Sequence, residues 1–175
     1  MERLVAHESS RPSLPGTVLE IERWLGRLPQ RERKAVADLG RGLGSRLRLL
    51  SSRFGEVHEL DSLEGCELRV DAVVAIDSIR GPRLTDFDRT LVSIRRSLVE
   101  GGLLLATFPA APKETIARAM LLDGGDGTPL PPVFHEVELQ YRLQRAGLRG
   151  AAIRRATDRD DREMLVCRAV RRADN

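Results

Sequence analysis

Hydrophobic and polar positions follow one another along the chain in blocks that predict helices and strands in turn. Apolar residues recur at helical spacing after Thr17, as far as Pro29, and again from Thr85 to Gly101. Residues 71–77 form the strongest run, Asp-Ala-Val-Val-Ala-Ile-Asp, which is typical of a strand buried on both faces. The same reasoning predicts strands over 34–38, 56–60, 103–108, 151–155 and 163–170, and helices over 45–54, 114–122 and 136–146.

This alternation of strands and helices predicts an α/β fold with a doubly wound, mainly parallel sheet of Rossmann-like type, covered on both faces. The last two strands are joined by the acidic turn 158–161, which indicates a C-terminal antiparallel hairpin. We expect residues 1–16 to form a flexible N-terminal tail and residues 17–171 to form one domain. The glycine- and proline-rich stretch 123–132 is predicted to be a loop.

Composition narrows the class of protein. A length of 175 residues with 41% hydrophobic and 31% charged residues fits a single globular domain. Only two of the 29 basic residues are lysines, and the arginines are spread along the chain without aromatic residues between them, which disfavours a dedicated nucleic-acid surface. Cys66 and Cys167 are too few for a disulfide framework or a zinc site. No apolar run is long enough for a membrane span and no secretion signal is recognised, so we expect a cytoplasmic protein.

A glycine-rich turn is the first candidate for chemistry. Asp38, Gly40, Gly42 and Gly44 form the pattern Asp-x-Gly-x-Gly-x-Gly between a predicted strand and a predicted helix. Glycines let the backbone approach a ligand closely, and the amides at a helix N-terminus carry partial positive charge. A nicotinamide fingerprint needs two residues between its second and third glycines, whereas this chain has one. Asp61 ends the next predicted strand, where a carboxylate can bind both hydroxyls of a ribose.

The chain resembles the class I S-adenosylmethionine-dependent methyltransferases. The resemblance rests on residues 36–44, Val-Ala-Asp-Leu-Gly-Arg-Gly-Leu-Gly, and on Asp61. It also rests on residues 98–106, Leu-Val-Glu-Gly-Gly-Leu-Leu-Leu-Ala, which look like the family's helix, Gly-Gly turn and fifth strand. Residues 136–147 are similar to the helix that precedes the family's final pair of strands. These segments occur in the family's order over roughly residues 17–170.

The resemblance implies S-adenosyl-L-methionine as the cofactor, and our first interpretation takes a small molecule as the methyl acceptor. It also implies a place for each matched residue. Asp38, Gly40, Gly42 and Gly44 would surround the methionine part of the cofactor, Asp61 would bind the ribose, and Ile76, Asp77 and Ser78 would form the rim of the methyl-transfer site.

One interval of the chain is shorter than the family pattern. Only nine residues, 62–70, separate Asp61 from Asp71, where the family has a helix, a strand and a further helix. One edge strand and its adenine contact are therefore expected to be missing, which makes the strand 56–60 the edge of the sheet. The edge needs protection, either by the short segment itself, by the charged residues of the strand, or by a second subunit. We favour a homodimer, because a second subunit would also complete the adenine pocket.

The acceptor side of the site offers fewer signals. His135 and Glu136, which follow the predicted loop, are the candidates for a catalytic base, with Tyr141 further along the same helix; each also suits a helix cap or a surface position. No metal-ligand cluster is recognised in the sequence. Two functions remain open. The chain is a methyltransferase acting on a small molecule, or it is a non-catalytic relative that serves as a binding partner or scaffold.

Overall fold

A computed structural model describes residues 16–26, 35–40, 50–76, 78–79, 84–112, 133–158 and 160–173. The predicted helix 114–122, the loop 123–132 and the first half of the predicted helix 45–54 lie outside these ranges. The described elements follow the predicted order. They are α1 (Gly16–Gly26), β1 (Ala35–Leu39), β2 (Glu56–Leu60), β3 (Val70–Ala75), α2 (Leu84–Ser97), β4 (Leu98–Pro109), α3 (Glu136–Arg145), β5 (Leu148–Thr157) and β6 (Glu163–Arg171).

The strands form one sheet in the order β2-β1-β3-β4-β6-β5. Strands β2, β1, β3 and β4 are parallel to their neighbours, whereas β6 pairs antiparallel with both β4 and β5. The predicted mainly parallel sheet with a C-terminal hairpin is therefore confirmed. Chain order and spatial order diverge around β1, which separates β2 from β3, and this is where α/β sheets bind ligands.

Strand β2 lies at the edge of the sheet, as the short interval after Asp61 predicts. Among the described residues it pairs only with β1. Residues 61–69 form turns and irregular backbone and add no strand beyond it. The expected loss of one edge strand is confirmed for the part of the chain that the structure describes.

Two apolar layers cover the faces of the sheet. On one face α2 and α3 pack through side chains that include Phe87, Leu91 and Leu139, and on the other face α1 packs through Ile21 and Trp24. Strand β1 is buried along its whole length because both layers cover it. Burial on both faces explains why β1 and β3 are mostly apolar instead of alternating between apolar and polar residues. No helix among the described residues has the length and apolar character needed to cross a membrane.

Two boundaries around the Gly-Gly turn differ from the prediction. Helix α2 ends at Ser97, and β4 begins at Leu98, five residues before the predicted start at Leu103. Val70 pairs with Leu98, but Ala72 pairs with Leu103, so residues 99–102 form an irregularity within β4. Gly101 has a φ of +74°, a backbone conformation that favours glycine. The glycines therefore shape a bulge inside the strand rather than ending the helix.

Candidate functional site

Three parallel strands end together at one edge of the sheet. In the β1 register, Leu39 lies opposite both Leu60 of β2 and Ala75 of β3. The next residues along each strand are Gly40, Asp61 and Ile76, and the Gly40 amide donates a hydrogen bond to the Leu60 carbonyl at 3.2 Å. The topology thus brings the start of the glycine turn, the predicted ribose carboxylate and the predicted rim together at the carboxyl edge.

Gly40 is the tightest point of this edge. Its φ is +112°, and a Cβ placed on it would lie 2.9 Å from the Ser78 Cβ and 3.6 Å from the Ile76 carbonyl oxygen. Real Cβ atoms do not approach that closely, so this position requires glycine for both its conformation and its packing. The chain after β1 and the chain after β3 therefore touch here without an intervening side chain.

The polar groups of the edge differ in their surroundings. Asp38, the next-to-last residue of β1, is fully buried. Asp61 is exposed at the end of β2. The Ser78 hydroxyl oxygen is buried and has no hydrogen-bond partner among the described residues. A buried hydroxyl without a protein partner is uncommon in folded proteins and is a group that a polar ligand can satisfy.

The segment after Asp61 folds as a compact turn. The Ser62 hydroxyl accepts a hydrogen bond from the Glu64 amide at 3.0 Å, and the Leu63 carbonyl accepts one from the Cys66 amide at 3.2 Å. Leu63 is buried beneath the turn. The side of Asp61 away from β1 is therefore bordered by a short turn, where the methyltransferase pattern has further secondary structure.

His135 and Glu136 lie at the same edge of the sheet, beyond the end of β4. Phe134 exchanges backbone hydrogen bonds with Pro109 and Ala111 at 2.9 and 2.8 Å, which fixes the start of α3 beside the end of β4. His135 is the N-cap of α3, and its Nδ1 accepts from the Val137 amide at 3.5 Å. The capping role that the sequence allowed is thus present.

The Glu136 carboxylate is held by an arginine that sequence reasoning missed. Arg155 Nε lies 2.6 Å from Glu136 Oε1, and its Nη1 donates to Glu163 at 2.7 Å and to the Ala111 carbonyl at 3.0 Å. The hydrogen bond from Arg155 lowers the pKa of Glu136, although partial burial of the carboxyl opposes the shift. A carboxylate kept ionised in this way is a weak proton acceptor. The Glu136 carboxylate is better suited to orient a neighbouring side chain, and His135 Nε2 lies 3.3 Å from it.

The alternation of inward and outward side chains along β5 could have indicated that Arg155 faces the covered side of the sheet. Ile153 packs against the core layer of α2 and α3, and Arg155, two residues on, has its side chain on the same face of β5. An arginine on a covered face must be paired, and acidic residues in the neighbouring helix and strand are the natural partners. The identity of those partners depended on tertiary structure.

The structure thus brings five predicted site residues together. Two others, His135 and Glu136, lie at the same end of the sheet, beyond β4. Asp38, Gly40, Asp61, Ile76 and Ser78 lie at the carboxyl edge of β1, β2 and β3. Gly42, Gly44 and Asp77 lie outside the described residues. Tyr141 is 60% exposed on α3, with the Arg145 guanidinium 5.8 Å from its ring centroid. Within the described ranges, no group of three or more His, Cys, Asp or Glu side chains is placed to hold a metal ion.

Comparison with solved structures shows that this fold is the one found in class I S-adenosylmethionine-dependent methyltransferases. Magnesium protoporphyrin IX methyltransferase from Synechocystis PCC 6803, solved with bound S-adenosylhomocysteine, matches with a TM-score of 0.63 and 16% identity, over 89% of this chain and 81% of that one. A chain of the Haloferax volcanii complex between the Trm112 methyltransferase activator and a proposed methyltransferase matches with a TM-score of 0.61 and 18% identity, over 90% of each.

A third similar structure is the N-methyltransferase NodS from Bradyrhizobium japonicum WM9 in complex with S-adenosyl-L-homocysteine. Its TM-score is 0.61 at 13% identity, over 89% of this chain and 87% of that one. No protein-family model matches the chain, and no curated protein matches it in sequence. The fold expected from the glycine turn and the order of the segments is therefore confirmed by structure at very low sequence identity.

Proposed function

We propose that this protein binds S-adenosyl-L-methionine at the carboxyl edge of β1, β2 and β3 and transfers its methyl group to a small-molecule acceptor. The observation that carries the proposal is the contact between Gly40 and Ser78. Glycine at φ +112° lets the chain after β1 pack directly against Ser78, whose hydroxyl is buried without a partner among the described residues. A hydroxyl lacking a partner, where the chain segments after two parallel strands meet at their carboxyl edge, fits a polar ligand bound at that edge.

Each residue of the edge has a role in this proposal. Asp38 and Gly40 would hold the methionine part of the cofactor, together with Gly42 and Gly44, and Asp61 would accept hydrogen bonds from the ribose hydroxyls. Ile76, Asp77 and Ser78 would form the rim towards the acceptor. When bound, the cofactor supplies an electrophilic methyl group on a sulfonium.

At the acceptor side we assign the proton-accepting role to His135 and an orienting role to Glu136. His135 Nδ1 accepts the Val137 amide, so its Nε2 carries the proton and faces the Glu136 carboxylate at 3.3 Å. If Nδ1 takes a proton from an acceptor, the cap bond is lost, and the ionised Glu136 stabilises the resulting imidazolium. Arg155 keeps Glu136 ionised and in place for that purpose.

The shortened segment supports a second candidate function. Because no described strand lies outside β2 in the sheet, the described residues next to Asp61 lack the elements on which the family reads adenine. A non-catalytic chain that keeps the fold but has lost part of the adenine pocket would act as a partner or scaffold. One structural neighbour is in a complex with an activator protein, which is compatible with this alternative.

Calorimetric titration with S-adenosylhomocysteine and with S-adenosylmethionine tests the proposed site. We expect saturable binding to the wild-type protein, and we expect Asp61→Ala to raise the Kd roughly 5-fold to 150-fold because it removes hydrogen bonds to a charged group. Glu64→Ala is the matched control, since Glu64 is an exposed acid three residues away in the adjoining turn. The affinity of the Glu64→Ala variant for both compounds should equal that of the wild type.

Turnover separates the two candidate functions. Protein incubated with S-adenosylmethionine and the small-molecule fraction of a cell extract should produce S-adenosylhomocysteine, and His135→Gln should slow this without changing the Kd. Binding without turnover, whatever fraction is supplied, would favour the non-catalytic alternative. A folded wild-type protein that binds neither compound would overturn the proposed site.

A further inference from the structure

The outer edge of β2 presents backbone groups that nothing in the described structure covers. Among the described residues β2 pairs with β1 on one side only, and residues 61–69 turn away without pairing to it. An edge strand leaves a row of N–H and C=O groups that can form hydrogen bonds with another strand. Val57 and Leu60 are half-buried and pack against the core layers. These contacts hold β2 against the sheet.

The open edge of β2 is acidic. The chain has a net charge of +3, yet the sequence between Arg53 and Arg69 contains neither lysine nor arginine. The acids in that interval are all exposed and follow β2 and the turn beyond it; they are Glu56, Glu59, Asp61, Glu64 and Glu67. We call this surface, β2 with its five acids, the acidic edge.

We propose that the acidic edge docks a partner protein that contributes a basic β-strand, which extends the sheet beyond β2. Backbone hydrogen bonds to the open edge would supply the common part of the affinity. Lys or Arg side chains on both faces of the docked strand, beside Glu56 on one face and Glu59 on the other, would supply the specificity. The docked strand would take the sheet position that the shortened 62–70 interval leaves without an occupant among the described strands. The inference concerns the edge alone and holds whether or not the site binds S-adenosylmethionine.

Charge also argues against a second copy as the occupant. A twofold axis that paired two β2 strands would bring the five acids of each protomer to one interface. Like charges directly opposite each other destabilise strand pairs. His58 could neutralise little of this negative charge, because it already lies 3.2 Å from the Glu56 carboxylate of its own strand. The homodimer through β2 that the sequence favoured is therefore the weaker expectation.

A designed peptide can serve as the probe. We would use a disulfide-closed β-hairpin whose outer strand carries lysines on both faces among threonine and valine, and a matched hairpin with glutamate in place of lysine. At low salt the basic hairpin should bind the wild-type protein about tenfold or more tightly than the acidic one. Hydrogen exchange followed by NMR should show new protection in residues 56–60 and no change at β5, the other edge of the sheet.

Two variants separate pairing at the edge from general attraction. Glu56→Lys/Glu59→Lys should reverse the preference between the two hairpins. Glu22→Lys/Glu100→Lys makes the same change in net charge on α1 and at the start of β4, and it should leave the preference in place. A basic hairpin whose outward amides are N-methylated should lose binding, because it keeps its charges but cannot donate to β2.

The contrary outcomes are distinct. If the wild-type protein alone sediments as a dimer with β2 amides already protected, a second copy occupies the edge and the proposal is overturned. If the protein is a monomer that binds neither hairpin, the acids merely protect the edge from pairing. If the N-methylated hairpin binds as well as the original, the contact is electrostatic and no strand is added. Failure to bind S-adenosylhomocysteine would affect the proposed function and leave this test unchanged.

Discussion

The two halves of the sheet use their polar groups differently. Around β5 and β6, charged side chains bind one another and the backbone: Arg155 joins Glu136 and Glu163, and Asp158 accepts hydrogen bonds from the amides of Asp160 and Arg162. The charged groups named around β5 and β6 are paired within the chain, whereas at the carboxyl edge of β1, β2 and β3 Asp61 is open to solvent and the Ser78 hydroxyl lacks a partner among the described residues. The proposed ligand site lies in this second half.

Replacement of Arg155 should have the largest effect on folding. In Arg155→Met the carboxylates of Glu136 and Glu163 and the Ala111 carbonyl lose a largely buried donor. We expect the free energy of unfolding in urea to fall by about 2–3 kcal/mol, as for hydrogen bonds to charged groups.

Arg154→Met is the matched control for this change. Arg154 is the preceding residue on β5, but its side chain is 51% exposed and lies 3.4 Å from Glu20 of α1. Exposed pairs contribute little, so the loss should be within about 0.5 kcal/mol. Equal losses for the two variants would mean that Arg155 adds no more to stability than a surface arginine.

A methyl group at Gly40 should have the next largest effect, in the other half of the sheet. Gly40→Ala adds strain at φ +112° and a Cβ 2.9 Å from that of Ser78, and we expect a loss of about 2 kcal/mol. Gly150→Ala is the comparison, because Gly150 has φ +62° and nothing within 4 Å of the added Cβ. It should lose about 1 kcal/mol, the cost of the left-handed backbone alone. Losses of equal size would show that the contact between Gly40 and Ser78 yields without cost.

Thiol chemistry distinguishes the two halves with no expected effect on stability. Cys66 is exposed in the turn after β2, whereas Cys167 is fully buried in β6, where burial raises the pKa of its thiol to about 12. At pH 8 a disulfide reagent should therefore modify one thiol quickly, and the second should react only as the protein unfolds. Cys66→Ser should remove the fast phase. Rapid modification of both thiols in native buffer would contradict the burial of β6.

Patterns within single segments of the sequence predicted most of the fold. The apolar run 71–77 predicted a buried strand, and β3 spans Val70–Ala75. The nine residues after Asp61 were too few for another helix and strand, which placed β2 at the edge of the described sheet. Length and periodicity are local properties, so they can be read without tertiary contacts. Register is not local: the pairing of Val70 with Leu98 extended β4 across a Gly-Gly pair that resembled a helix end.

The candidate site was predictable in position but only partly in its contacts. The order of strands brings Gly40, Asp61 and Ile76 to one edge, as the glycine pattern and the strand-end acid indicated. The contact between Gly40 and Ser78 depends on the path of two different loops. Asp88 illustrates the same limit, because it accepts hydrogen bonds from Arg142 of α3 at 3.0 and 3.1 Å. Such pairs join residues 54 positions apart and have no local pattern.

The packing of α1 on the hairpin sets an order in time during synthesis. Glu20 of α1 meets Arg154 of β5 across 134 residues of chain, and Ile21 and Trp24 share their core layer with Val166 of β6. A ribosome adds ~5–20 residues per second, so α1 waits on the order of ten seconds for these partners. Val36, Val74 and Leu105 of the same layer are made earlier, but until β5 and β6 emerge part of the native surface that covers α1 is missing. The apolar face of α1 is therefore incompletely covered in the nascent chain, which favours aggregation and chaperone binding during this interval.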